Sequence, residues 1–200
     1  MHLEVLVEEP SCEAALESLL PKIAPACTFR IHPHAGKSDL LARLPVKLRG
    51  YSHILRAQPD ARVVVLLDED RQDCKKLKKQ IIDLARSAGI QRTLLARVAV
   101  EELEAWFIGD IPALTAAYPR VPANLAGRRL LRDPDAVRGG TWEALQRVLQ
   151  AAGYYRGGGL PKIEAAREIA ANMNVENNQS RSFRVFRDGV RRLVAQAPHP

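Results

Sequence analysis

Three carboxylate groups each stand just past a hydrophobic run, and that placement is where chemistry first shows in this chain. Glu8 follows Leu3-Glu4-Val5-Leu6-Val7; Asp68 and Asp70 follow Arg62-Val63-Val64-Val65-Leu66-Leu67; Glu101, Glu102 and Glu104 follow the run from Leu94 to Val100. Carboxylates that converge repel one another unless a hard cation holds them, and Mg²⁺ takes oxygen ligands of this kind. Asp68-Glu69-Asp70 is the sharpest cluster. Alternation along an extended chain turns Asp68 and Asp70 the same way, so that both reach one cation. An aspartate after a strand also serves as an ordinary helix cap. An EF-hand does not fit, since the loop lacks the turn glycine and its twelfth position is Lys79.

Other residues extend the site. Of the neighbours Glu8 and Glu9, one is expected to face the crevice. Glu13, a helical turn further on, is a supporting carboxylate or, like Glu9, favourable charge at a helix start. Glu101 and Glu104 share a face at i, i+3 if a helix opens at once, while Glu102 points elsewhere. Trp106 and Phe107 read as core before base-stacking platform. Gly157-Gly158-Gly159-Leu160-Pro161-Lys162 is a flexible loop that delivers a lysine to a helix start, where it is either a phosphate-neutralising group or a surface lysine. Lys37, in a loop, is a candidate phosphate contact. So are Arg181, Ser182 and Arg184, with Ser180 or Ser182 alternatively capping the last helix. Gly36-Lys37-Ser38 lacks the earlier glycine of a P-loop, which would fall at Ile31. His32 and His34 have no third soft ligand nearby.

The elements that must position these groups alternate. Strands are expected at residues 3–7, 28–32, 63–67 and 93–100. Helices are expected from Ser11, from Ser38 or Asp39 to about Arg56 with an interruption at Pro45, and from Asp73 to Ala88 with Gly89 as C-cap. The predicted fold class is α/β: a parallel sheet of about four strands flanked by helices, with ligands at the carboxyl edge. Beyond Asp110 the pattern turns helical, with helices expected over 142–152, 163–173 and 183–195 and a frayed tail at 197–200. Residues 1–110 are therefore read as a metal-binding core and 111–200 as an Arg-rich helical extension packed on it.

The formal charge of +7 belongs to the second part. Residues 1–110 hold 16 Lys/Arg and 16 Asp/Glu, whereas 111–200 hold thirteen arginines, one lysine (Lys162) and seven acids. An acidic site joined to an Arg-rich half suggests a polyanionic substrate, with a solvated basic surface as the plain alternative. The cysteines Cys12, Cys27 and Cys74 form no CxxC pair, which fits a reducing cytoplasm and not a disulfide framework. No leader peptide or membrane span is expected.

Val7-Glu8-Glu9-Pro10-Ser11-Cys12-Glu13 resembles the first motif of Toprim domains, where a glutamate follows strand 1, and Leu67-Asp68-Glu69-Asp70 resembles their DxD motif. The chain departs from that pattern in having Glu9 where glycine is usual. More closely, Glu102-Leu103-Glu104-Ala105-Trp106-Phe107, Lys162 and Ser180-Arg181-Ser182-Phe183 resemble a Toprim-like bacterial family of unknown function, related to the nucleases of the overcoming-lysogenization-defect type. The resemblance implies a Toprim-like sheet with Glu8, Asp68 and Asp70 as metal and catalytic residues. It makes Glu13 and Glu104 further metal carboxylates and Lys162 catalytic, with Mg²⁺ or Mn²⁺ as cofactor. It implies phosphodiester cleavage of DNA or RNA, an ATPase partner of ABC or SMC type, and a place in phage defence. Homodimerisation is left open. The alternatives are a non-catalytic regulatory subunit of such an ATPase and a receiver-like phosphoacceptor domain, which strand 4 ending in glutamates instead of Ser/Thr disfavours.

Overall fold

The structure is a computed structural model; it describes residues 1–70, 72–127, 133–137 and 140–196. Four strands, β1 (His2–Val7), β2 (Thr28–Pro33), β3 (Ala61–Asp68) and β4 (Leu94–Ala99), form one parallel sheet in the order β2-β1-β3-β4. The expected α/β class is what the chain adopts. β3 is buried almost throughout, in keeping with its unbroken run of β-branched and aliphatic residues.

Strand alternation sorts side chains between two cores. Leu6, Val63, Val65 and Leu67 meet α2 (Lys37–Ala57) and α3 (Cys74–Ser87) through Leu40, Leu44, Leu48 and Ile81. Leu3, Val5, Val7, Val64 and Leu66 meet α1 (Pro10–Ile23) on the other face, in a core that continues into the helices of the second half. Those are α4 (Glu104–Ile108), α5 (Ile111–Ala117), α6 (Thr141–Ala151), α7 (Lys162–Asn172) and α8 (Arg181–Ala195). Among them α8 packs on β4, and α7 lies along α1.

Two local expectations are corrected. Pro45 does not interrupt α2, which runs unbroken through it. The proline removes one amide donor, but buried Leu40, Leu44 and Leu48 hold one face of the helix to the sheet on both sides of it. Nor does a helix open at Glu101: that residue has φ 60°, and α4 begins only at Glu104. The i, i+3 argument joining Glu101 to Glu104 therefore fails. The segment 197–200, expected to fray, lies outside the described residues.

One contact fixes where the second half delivers its lysine. Lys22, near the end of α1, donates to Ala170 O (3.1 Å), Ala171 O (2.7 Å) and Met173 O (3.1 Å) at the end of α7. Ala170 O also accepts the capping Met173 N–H at 3.2 Å. The last carbonyls of a helix lack their usual i+4 donors, and a cation there also complements the helix dipole. With that end fastened, the opposite end of α7 points Lys162 toward the carboxyl edge of the sheet.

Candidate functional site

The strand order reverses direction at β1 and β3: the chain steps from β1 outward to β2, then returns across β1 to β3. Open α/β sheets bind ligands outside the carboxyl ends at such a point. Glu8 leaves β1 there and is 7% exposed; its Oε2 accepts from the Asp68 backbone N–H at 3.2 Å, which stitches the ends of β1 and β3 together. Asp68 closes β3. Glu104 is 4% exposed at the start of α4, and Lys162 is the first residue of α7.

The electrostatics show that these groups have been brought together. Burial, reinforced by Glu104, Glu8, Asp70 and Glu102, pushes the Asp68 carboxyl well above its usual range. Burial likewise raises Glu8, with Asp70 and Glu9 adding to it and the Asp68 amide and Lys37 opposing. Burial pushes Glu104 up to about 7, with the Lys162 charge working the other way. Burial disfavours the Lys162 ammonium, but Glu104, Glu9, Glu102 and Asp68 outweigh it and raise its pKa. The Lys162 ammonium also lies 5.2 Å from the centre of the Trp142 ring, within cation–π range. Beneath them Cys12 is fully desolvated, and burial with Asp68, Glu8, Glu104 and Glu9 holds its thiol protonated, which denies it the thiolate a nucleophile needs.

Asp70 sits differently. β3 ends at Asp68, and Asp70 has φ 47°, so strand alternation does not extend to it. It forms an ion pair with Lys37 at 2.7 Å, and Lys37 also donates to Glu69 O at 3.2 Å. Lys37, 9% exposed, thus belongs to the site's wall. Asp70 faces Glu101 across the strand ends, its N–H donating to Glu101 O at 3.2 Å, while the Glu101 N–H donates to Glu69 Oε2. Both Asp70 and Glu101 are left-handed, a strained pair of non-glycine residues of the sort found at functional sites. Asp70, Glu101, Glu102, Gly140 and Glu143 line a cleft of about 160 Å³.

Two residues gain importance over the sequence reading. Glu102 Oε2 accepts from Thr141 Oγ1 and the Trp142 N–H, both at 2.9 Å, and so caps α6 from outside while acting on Asp68, Glu104 and Lys162. Glu9, and not Glu13, is among the strongest neighbours of Glu8, Glu104 and Lys162. Glu13 sits partly exposed on α1. The bond from Thr141 to Glu102 joins residues 39 apart with no shared local pattern, so no sequence signal marks it. Glu9 was visible beside Glu8 but indistinguishable from a helix-start charge.

The proposed nucleic-acid contacts are divided. Arg181 is exposed at the start of α8. Arg184 donates to Asn178 O at 3.2 Å. Ser182 is 6% exposed; its hydroxyl accepts from Trp106 Nε1 and donates to Asp135, both at 3.0 Å. Ser180 caps α8 by accepting from the Phe183 N–H and donates to Asp135 at 2.7 Å. Trp106, fully buried against Phe183 and Phe186, is core. His32 bonds Glu4 while His34 donates toward Val7 O, so the two do not form a pair.

The donor set is all hard oxygen, which fits Mg²⁺ or Mn²⁺ by chemistry. Among the described residues no three His, Cys, Asp or Glu side chains already surround one point closely enough to hold an ion. To hold an ion these side chains would have to rotate at the ends of β1, β3 and β4; Lys37 pairs with Asp70, and Lys162 lies close enough to Glu104 and Asp68 to be raised by them. A family model described as a domain of unknown function (DUF4276) matches residues 7–191. No curated protein and no solved structure matches the chain.

Proposed function

The chain belongs to the DUF4276 family, and from the site's geometry we propose that it is a Mg²⁺- or Mn²⁺-dependent phosphodiester hydrolase of Toprim-like kind acting on nucleic acid. The observation that carries this reading is the convergence of Glu8, Asp68 and Glu104, from three different elements, on one sheet edge with Lys162 beside them. Glu8 and Asp68 would hold the cation, with Asp70 joining on release from Lys37 and Glu104 as a further carboxylate. A bound divalent ion lowers the pKa of water and stabilises a leaving oxygen. Lys162 would bind a phosphate oxygen and offset charge that develops on it. Without the cation, burial keeps Glu104 protonated up to about 7, so a cation taken up beside it would displace that proton. Glu102 holds Thr141 and Trp142 in register beside Lys162.

The test is incubation of plasmid, single-stranded DNA and tRNA with the protein, with and without divalent cation, beside Asp68→Asn. Metal-dependent cleavage lost in the variant supports the reading. No cleavage with either metal, or equal cleavage by both proteins, retires it. If a small phosphodonor instead labels Asp68, the receiver-like alternative takes its place.

A further inference from the structure

A second charged feature lies along β4, away from the carboxylates. β4 is an edge strand, and a pocket of about 460 Å³ opens between it and the last turns of α8. Gln91, Arg92, Leu94, Arg97, Gly189 and Arg192 contribute to its wall. The pocket lies along the length of β4, from Leu94 at its start to Arg97 at its middle, and is lined by none of the carboxylates at the strand's far end.

Arg97 is the fixed point. Its Nε donates to Val185 O at 3.1 Å and its Nη1 to Ala96 O at 2.8 Å, which locks the guanidinium plane between strand and helix. Among the described residues its Nη2 has no acceptor, and none of Arg92, Arg97 and Arg192 pairs with a carboxylate. The nearest acid along α8, Asp188, is paired with Arg187 at 2.8 Å. Gly189 makes the arrangement possible. A Cβ there would stand 2.5 Å from Arg97 Nη2 and 2.7 Å from its Nε. Glycine is disfavoured inside a helix, so the close approach of this arginine is a built feature of α8.

Three guanidinium groups around one open pocket, one of them oriented by two carbonyls and carrying an unused N–H pair, make a receptor for an oxyanion. Planar forks of this type match phosphate oxygens two at a time. We propose that the β4–α8 pocket, through Arg92, Arg97 and Arg192, binds a phosphate group. The proposal stands apart from the carboxylate site and does not depend on cleavage. The phosphate is either a backbone group of nucleic acid or a free phosphate.

The experiment compares wild-type protein with Arg92→Gln/Arg192→Gln, whose altered side chains are exposed, and with Gly189→Ala, which displaces Arg97. Melting curves establish that the variants fold. Inorganic phosphate is titrated by calorimetry, and a labelled oligonucleotide by anisotropy over a salt series without divalent cation. Phosphate binding by wild type that is abolished in the double variant supports a pocket for free phosphate. An oligonucleotide salt dependence shallower by about one log–log unit for each phosphate no longer neutralised supports a backbone pocket. Both probes are read without divalent cation and neither needs cleavage, which separates failure here from failure of the carboxylate site. Wild type and both variants indistinguishable toward both probes overturns the proposal.

Discussion

At the scale of single residues, the site stores unfavourable charge that a cation or a proton relieves. Asp68 is raised by burial and by three neighbouring carboxylates besides Glu8. Asp68→Asn should therefore weaken Mn²⁺ binding in calorimetry by tenfold or more while the metal-free protein melts higher, by the equivalent of about 1 kcal/mol. Unchanged affinity and a lower melting point together would remove Asp68 from the site. Glu104 gives a pH signature. Its folded pKa lies above its unfolded value, at about 7 against 4.5, so the folded state holds the proton more tightly. Stability from this group is full below about pH 4.5 and is lost as pH rises through 7, with a slope of at most about 1.4 kcal/mol per pH unit for one proton. Urea midpoints of chelator-treated protein should fall over that interval, and Glu104→Gln should flatten the fall. Glu8, Asp68 and the Glu-Leu-Glu-Ala-Trp run were legible in the sequence because strand ends advertise themselves through the hydrophobic runs before them. Asp70 was legible only as a residue type: the left-handed turn that hands it to Lys37 follows from tertiary contacts with Glu101, which no local pattern encodes.

At the scale of elements, α7 acts as an arm anchored at one end. Lys22 binds three carbonyls at its C-terminus, and Lys162 stands at its N-terminus beside Glu104. Lys22→Met should cost about 1–3 kcal/mol, since three carbonyl acceptors lose a charged donor. It should also lower turnover without altering metal affinity; wild-type turnover in a destabilised Lys22→Met protein would show that the anchor is structural only. Gly109 offers a second check. A Cβ there would meet Asn178 Oδ1 at 2.3 Å and the Ser180 amide at 2.8 Å, where Asn178 itself bonds Trp106 O and the Ser180 N–H. Gly109→Ala should therefore destabilise by about 1–3 kcal/mol, measured by urea unfolding, against the gain expected of alanine near a helix end. Strand and helix identities were readable from periodicity, whereas the continuity of α2 through Pro45 was not, because a leucine face held by the sheet overrides a local breaker.

At the scale of the molecule, the charge of +7 arises entirely beyond residue 110. Binding to nucleic acid should weaken with salt by about 0.7 to 0.9 log units per log unit for each phosphate neutralised, steepest for duplex DNA. Binding that ignores salt would detach the arginines from the substrate. Much of that charge could be assigned a sign from the sequence but not a direction: Arg187 and Arg191 pair with Glu176 or Asp188, while Arg192 faces the β4 edge. Among the described residues no helix is long and apolar enough to cross a membrane.

The Lys22 anchor joins positions 148 to 151 residues apart, and that span has a consequence for biogenesis. While the chain is being synthesised, β1, β3 and their carboxylates emerge long before α7. A nascent chain thus exposes Glu8 and Asp68 without the lysine that stands beside them in the finished protein. If the site needs both, it is complete only once α7 has docked along α1. Contacts of such sequence separation form late and slowly, so the onset of activity after refolding should lag the return of the sheet's circular dichroism.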